Sequence, residues 1–142
     1  MNHDESLQRF LEAQETAFPK ALAELQQGQK QSHWMWYIFP QLQGLGRSST
    51  AHYYGLHGAA EALAYAQHPQ LGSRLLLLCA ALLALPGNNA TRIMGSPDDM
   101  KLRSCMTLFD AVCPDQPIFQ EVLDKFFRGQ PDANTLRLLH PS

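Results

Sequence analysis

Basic residues are scarce in this chain: 11 lysines and arginines stand against 13 aspartates and glutamates, which gives a formal net charge of −2. Proteins that hold nucleic acids through their phosphates usually carry an excess of positive charge. We therefore expect no nucleic-acid partner. Recognition of a single phosphate group is still compatible with this composition.

Cysteine is also rare, and Cys79, Cys105 and Cys113 form neither an even-numbered framework nor a C-x-x-C pair. Such thiols are typical of a reducing compartment.

The longest apolar run, residues 75–85, has 11 residues, whereas a membrane helix requires roughly 20. Residues 1–14 lack the pattern of a secretory leader. We expect a cytoplasmic protein with no membrane partner.

Motifs for cofactors and metals are missing as well. The sequence contains no Walker loop and no dinucleotide-binding fingerprint. His52 and His57 are five residues apart, which misses the shared helical face that a spacing of four provides. We expect neither a cofactor nor a metal site.

Apolar residues recur along the sequence with the period of an α-helix. They make up 45% of the chain, which contains no repeat and no linker. We predict an all-α fold, with residues 1–142 forming one compact domain of six to seven helices. A leucine-rich helix from Pro69 to about Leu85 is expected at its centre. Pro19 predicts a break in the first helix near residues 16–18, and Ser96 is expected to cap the helix that follows Pro97.

An unusual concentration of aromatic and polar residues occupies residues 32–41. Indole rings can stack on a flat ligand, and histidine and glutamine can hydrogen-bond its edge. An aromatic core nucleus is an equally acceptable interpretation, because buried tryptophans are common core anchors. The candidate ligand-contacting residues of this segment are His33, Trp34, Trp36 and Gln41.

Two further segments carry candidate polar groups. The loop 44–50 offers two glycines, Arg47 and Ser48, which suit a phosphate but also suit an ordinary surface turn. Residues 96–104 place Asp98, Asp99, Lys101 and Ser104 at a helix start, where the acids also have a purely structural role against the helix dipole. Arg74, at the head of the leucine-rich helix, needs solvent or an acidic partner.

These segments together resemble the bacterial family called domain of unknown function 1810, over a span from Arg9 to Leu138. The resemblance implies an all-helical single domain and no established reaction. Some members carry the label calpastatin, but calpastatin acts through disordered repeats and this chain has the apolar content of a folded core. The motifs that carry the resemblance are Ser32-His33-Trp34-Met35-Trp36 with Ile38-Phe39-Pro40-Gln41, Gly44-Leu45-Gly46 with Ser48, His68-Pro69 with Leu71-Gly72 and Arg74-Leu75, and Pro97-Asp98-Asp99 with Lys101-Leu102 and Met106-Thr107-Leu108-Phe109.

We hypothesise that the three polar segments line one pocket for a nucleotide-like or other anionic small molecule, with hydrolysis or group transfer as the reaction if there is one. Asp98, Asp99 and His33 are the candidate catalytic acid–base residues. Trp34, Trp36, Gln41, Arg47, Ser48, Arg74, Lys101 and Ser104 are the candidate binding residues. The alternative is a non-enzymatic interaction or homo-oligomerisation module that uses residues 32–41 as its contact surface.

Overall fold

The computed structural model of the protein describes residues 3–140, and nine α-helices form within them. In the same residues the one β pairing is an isolated parallel bridge between Leu42 and Leu56. The helices are α1 (Asp4–Gln26), α2 (Met35–Ile38), α3 (Ser49–Tyr54), α4 (Ala59–Gln67), α5 (Pro69–Ala84), α6 (Ala90–Met94), α7 (Asp98–Val112), α8 (Ile118–Phe127) and α9 (Ala133–Leu139).

The predicted all-helical fold is confirmed, whereas the predicted number of six to seven helices is wrong. Helices α2, α3, α6 and α9 have between four and seven residues each. So few residues cover only one or two turns, and a hydrophobic period cannot be counted over that length. Helix α3 begins at Ser49, inside the loop predicted for residues 44–50.

The predicted break at Pro19 is also wrong, because α1 runs without interruption from Asp4 to Gln26. An internal proline costs about 3 kcal/mol. Pro19 is exposed, and so is Glu15, whose carbonyl loses its helical partner and can bond water instead. Buried residues on both sides of the proline, from Phe10 to Leu25, hold the two halves of the helix against the same core.

The leucine-rich helix α5 lies at the centre of the fold, as predicted. It packs against α1, α4 and α8, while α7 packs against α4, α6, α8 and α9. Leu71, Leu75, Leu78 and Leu82 of α5 are all at most 1% exposed and belong to the single hydrophobic core that the helices share. Among residues 3–140, no helix has both the length and the apolar character that crossing a bilayer requires.

The first residues of α7 differ from the prediction that Ser96 caps this helix. The N-cap position is Pro97, with no side-chain hydrogen bond to the helix, so Ser96 does not serve as the cap. The Asp98 and Asp99 carboxylates lie in the first turn, where they compensate the positive end of the helix dipole. This start places Asp98 next to Lys30 and Lys101 against the Trp36 ring.

The junction of α4 and α5 depends on a close backbone approach at Gly72. A Cβ atom added to this residue would lie 2.1 Å from the carbonyl oxygen of Ala66. We expect Gly72→Ala to lower the free energy of unfolding by roughly 1–3 kcal/mol, because the two helices must separate to admit the methyl group. Urea denaturation checks this, with Ser73→Ala at the neighbouring exposed position as the matched control. A loss below about 0.5 kcal/mol for Gly72→Ala would contradict the packing described.

Candidate functional site

The two tryptophans of the aromatic segment have different environments. Trp34 is 1% exposed and belongs to the core, whereas Trp36 is half-buried. Trp34 precedes the single turn α2 and Trp36 lies within it, and residues two apart on a helix point in different directions. Trp36 is therefore the indole that solvent and a ligand can reach.

Trp34 is fixed by a buried carboxylate of α1. Glu24 accepts hydrogen bonds from Trp34 Nε1 at 2.9 Å, from the backbone N–H groups of Gln31 and Ser32 at 2.7 and 3.0 Å, and from Ser32 Oγ at 2.6 Å. Burial by itself raises the pKa of Glu24, but these hydrogen bonds, first the one from Ser32 Oγ, outweigh it and lower the pKa from 4.5 to about 2. Glu24 thus anchors the start of the aromatic segment to α1.

A line of charged groups joins the aromatic segment to the start of α7. Asp98 accepts from Lys30 Nζ at 2.9 Å through one carboxylate oxygen and from Lys101 Nζ at 3.3 Å through the other. The Lys101 ammonium lies 3.5 Å from the centroid of the Trp36 ring, a distance at which the ring quadrupole attracts a cation. One carboxylate is therefore shared by two ammonium groups. The Lys101 ammonium lies against the half-buried Trp36, and the Lys30 ammonium lies 4.9 Å from the ring centroid of the buried Trp34.

The loop after α2 completes this surface. The Leu42–Leu56 bridge holds its first residues, and a Cβ atom built on Gly46 would lie 3.7 Å from both Gln41 Nε2 and Trp36 Cζ3. The same Cβ would be 2.5 Å from the Ala51 side chain, so only glycine allows the loop to lie this close to α3. We define the Trp36 face as the surface formed by Trp36, Gln41, Gly46, Asp98 and Lys101.

Comparison with known proteins identifies the family. The family model described as protein of unknown function (DUF1810) matches residues 4–139. The chain belongs to the DUF1810 family. Its structure is similar to the crystal structure of the conserved hypothetical protein Rv1873 from Mycobacterium tuberculosis, with 41% sequence identity, 94% of this chain and 95% of that chain covered, and a TM-score of 0.92. Among curated proteins, no match is found.

In this DUF1810 protein, Arg47 and Ser48 come directly after Gly46, the last residue that the loop contributes to the Trp36 face. Both are exposed. The Ser48 hydroxyl caps α3 by accepting from the N–H of Ala51 at 3.0 Å. The Arg47 guanidinium forms no hydrogen bond or ion pair with any of residues 3–140, so all of its donors are open to solvent or a ligand.

Three other predicted site residues of the DUF1810 chain have hydrogen-bond partners outside the Trp36 face. Asp99 accepts from Thr91 Oγ1 at 2.5 Å, and Arg74 donates to Gln14 Oε1 at 3.3 Å. Ser104 is buried and donates to the Met100 carbonyl of its own helix. His33 is exposed, and its imidazole forms no hydrogen bond, ion pair or ring contact within residues 3–140.

Several polar residues important to this DUF1810 structure were not singled out from the sequence. Lys30 belongs to the charged line beside the aromatic segment, and Glu24 anchors the start of that segment to α1. Arg9 and Glu61, 52 residues apart, form a buried ion pair at 3.2 Å. The position of Glu24 in the sequence could have identified it. Glu24 lies three residues after Ala21, on the apolar side of α1, and a carboxylate buried there needs a hydrogen-bonding partner.

Proposed function

We propose that the Trp36 face binds a small anionic molecule that carries an aromatic ring, with a nucleoside monophosphate as the model ligand. The observation that carries this proposal is the position of Lys101, whose ammonium group lies against the Trp36 ring while its carboxylate partner Asp98 is shared with Lys30. Because the single negative charge of Asp98 is shared by Lys30 and Lys101, it does not fully compensate the charge of Lys101. The Lys101 ammonium therefore has positive charge and N–H donors available for an anion.

The surrounding groups suit the two parts of such a ligand. The half-buried Trp36 offers apolar ring surface against which a base can pack. The Gln41 side-chain amide, close to that ring across Gly46, forms no hydrogen bond within residues 3–140 and can read the edge of a base. Arg47 has its donors free, and its planar guanidinium suits a phosphate or carboxylate.

Acid–base chemistry at this surface would use Asp98, because its carboxylate pairs with Lys101, which lies against the Trp36 ring. Asp99 hydrogen-bonds to Thr91, and His33 lies on the solvent side of the segment. Hydrolysis or group transfer by Asp98, Asp99 or His33 thus remains a proposal that depends on ligand binding.

The binding proposal is tested by isothermal titration calorimetry with AMP, GMP and inorganic phosphate. We expect AMP or GMP to bind, and Lys101→Met to weaken the binding at least about tenfold, because one charge-assisted hydrogen bond contributes roughly 1.5–3 kcal/mol. Gln41→Ala is expected to weaken nucleotide binding without changing that of phosphate.

Lys20→Met supplies the matched control, because Lys20 is an exposed lysine of α1 and its loss should leave the affinity unchanged. Absence of binding by both nucleotides at millimolar concentration would contradict the proposal. Equal affinities for the wild type and Lys101→Met would contradict it as well.

The alternative function, an interaction module built on residues 32–41, has less support in the structure. Trp34, Met35, Ile38 and Phe39 are buried against the protein's own core, so few apolar side chains of the segment are available to a partner. If that module exists, Trp36→Ala shifts the molar mass measured by light scattering. We expect no shift, because the buried neighbours of Trp36 leave the segment too little apolar surface for a partner.

A further inference from the structure

Lys30 is a lysine whose charged side chain lies inside the protein. It belongs to the connection between α1 and α2, and its side chain is only 8% exposed. Burial of an ammonium group is unfavourable unless hydrogen bonds and an opposite charge compensate it. The charge of Lys30 therefore acts on groups inside the fold and not on solvent.

The ammonium group of Lys30 has its partners within the protein. Lys30 Nζ donates to the carbonyl of Ser32 at 2.6 Å and to the Asp98 carboxylate at 2.9 Å. It also lies 4.9 Å from the centroid of the Trp34 ring, where the ring quadrupole attracts a cation. Because the side chain is buried and engaged in this way, a ligand at the Trp36 face cannot reach it.

The backbone around Lys30 fixes the position of its charge. The Lys30 N–H donates to the carbonyl of Ile93 in α6 at 2.7 Å. Ser32 and Trp34 are both held by Glu24 of α1, through hydrogen bonds of 2.6 and 2.9 Å. The Lys30 ammonium is thus held from α1 and α6, at a fixed place beside the first turn of α7.

Asp98, at that first turn, interacts unequally with its two cations. Lys30 Nζ lies 2.9 Å from one carboxylate oxygen, whereas Lys101 Nζ lies 3.3 Å from the other. Charge-assisted hydrogen bonds between N–H and carboxylate groups are usually 2.7–2.9 Å long. Lys101 is also more accessible, with 20% of its side chain exposed. Asp98 is therefore bound mainly by the buried Lys30, and it holds Lys101 only loosely.

We propose that Lys30 is a positioning residue that sets the anion affinity of Lys101 through Asp98, without contacting the ligand. In the absence of Lys30, the whole charge of Asp98 would act on Lys101. The Asp98 carboxylate would then compete with an anionic ligand for the same ammonium group. Because this role concerns the same ligand, it rests on the proposed function of the Trp36 face.

A double-mutant cycle, measured by isothermal titration calorimetry with AMP, tests this role on the whole chain. We expect Lys30→Met to weaken AMP binding about fivefold and Asp98→Asn to strengthen it about threefold, as for charged residues in contact. In the Asp98→Asn background, Lys30→Met should change the affinity by less than about twofold, because the carboxylate through which Lys30 acts has been neutralised.

The double variant also separates a positioning role from damage to the fold. If loss of Lys30 only disturbed residues 30–34, the double variant would bind AMP as weakly as Lys30→Met does. We expect the double variant to bind AMP at least as tightly as the wild type. Lys20→Met, at an exposed position of α1, is the control for the loss of one positive charge and should bind AMP like the wild type.

Quenching of tryptophan fluorescence by iodide measures the same effect without AMP. Iodide is an anion, and it reaches the half-buried Trp36 more readily than Trp34, which is 1% exposed. We expect Lys30→Met to lower the iodide quenching constant about twofold at low ionic strength, because less positive charge remains beside the Trp36 ring. Quenching by uncharged acrylamide should stay the same, since the exposure of both indoles is unchanged.

A failure of this role can be distinguished from a failure of the proposed function. If the wild type binds AMP and Lys30→Met binds it equally well, the role of Lys30 is overturned while the proposed function stands. An equal loss on Lys30→Met with Asp98 and with Asn at position 98 also overturns it, because Lys30 would then act independently of the carboxylate. If neither AMP nor GMP binds, the proposed function fails, and the iodide constants of the same four chains decide: an effect of Lys30→Met that persists in the Asp98→Asn background overturns the role of Lys30.

Discussion

Glu24→Ala is expected to lower the free energy of unfolding by about 3–5 kcal/mol, one of the two largest effects we predict. The substitution removes an acceptor of four hydrogen bonds and leaves the buried indole N–H of Trp34 without a partner. Unsatisfied buried donors cost about 1–3 kcal/mol each. Thermal or urea unfolding measures the loss, which corresponds to a fall in melting temperature of roughly 10–20 °C.

Glu24→Gln is the informative comparison because it can keep the oxygen that accepts three of the four hydrogen bonds, while it removes the charge. The pKa of Glu24 is about 2 in the folded chain and 4.5 as its ordinary value. Its ionised form therefore adds stability that is fully present above pH 4.5 and is lost as the pH falls toward 2, a contribution of about 3 kcal/mol. The stability difference between wild type and Glu24→Gln should thus shrink from pH 7 to pH 2. A difference independent of pH would contradict the anchoring role.

Arg9→Met is expected to cost a similar 3–5 kcal/mol, because removing one partner of a buried ion pair leaves the other charge uncompensated. Glu61 is 3% exposed. Burial raises its pKa, but hydrogen bonds, above all from Arg9, lower it to about 2, so it stays ionised at neutral pH. Urea denaturation at pH 7 measures the effect.

The control for Arg9→Met is the double variant Arg9→Met, Glu61→Leu, in which neither buried charge remains. We expect it to be more stable than Arg9→Met alone by about 1–3 kcal/mol, because the uncompensated carboxylate is gone. A double variant that loses the sum of both single losses would show that Arg9 and Glu61 do not interact.

Fold class and the central helix could be predicted because both depend on hydrophobic pattern. The residues of α5 between Arg74 and Pro86 are uniformly apolar, and such a helix is stable only at the centre of the molecule. The continuity of α1 could not be predicted, since local propensity at Pro19 opposes it. The packing of Phe10 and Leu25 that overrides this propensity is tertiary.

The candidate site was predicted in part. Trp36, Gln41, Asp98 and Lys101 come from segments far apart in the chain, and the structure places them on one surface. Hydrophobic periodicity predicts which side of a helix a residue occupies, but it does not predict which neighbouring helix packs against that side. For that reason the sequence could not place Asp99 beside Thr91 or Arg74 beside Gln14. The ion pair of Lys30 with Asp98 could not be predicted from the sequence, because a single lysine between helices is usually solvated.

The two indole N–H signals in an NMR titration of isotope-labelled protein with AMP test the binding proposal most directly. The chain has two tryptophans, and Trp36→Phe assigns their signals. We expect the Trp36 signal to move and saturate, while the Trp34 signal, held by Glu24 in the core, stays in place. Two stationary signals at millimolar AMP, or movement of Trp34 alone, would contradict ligand binding at the Trp36 face.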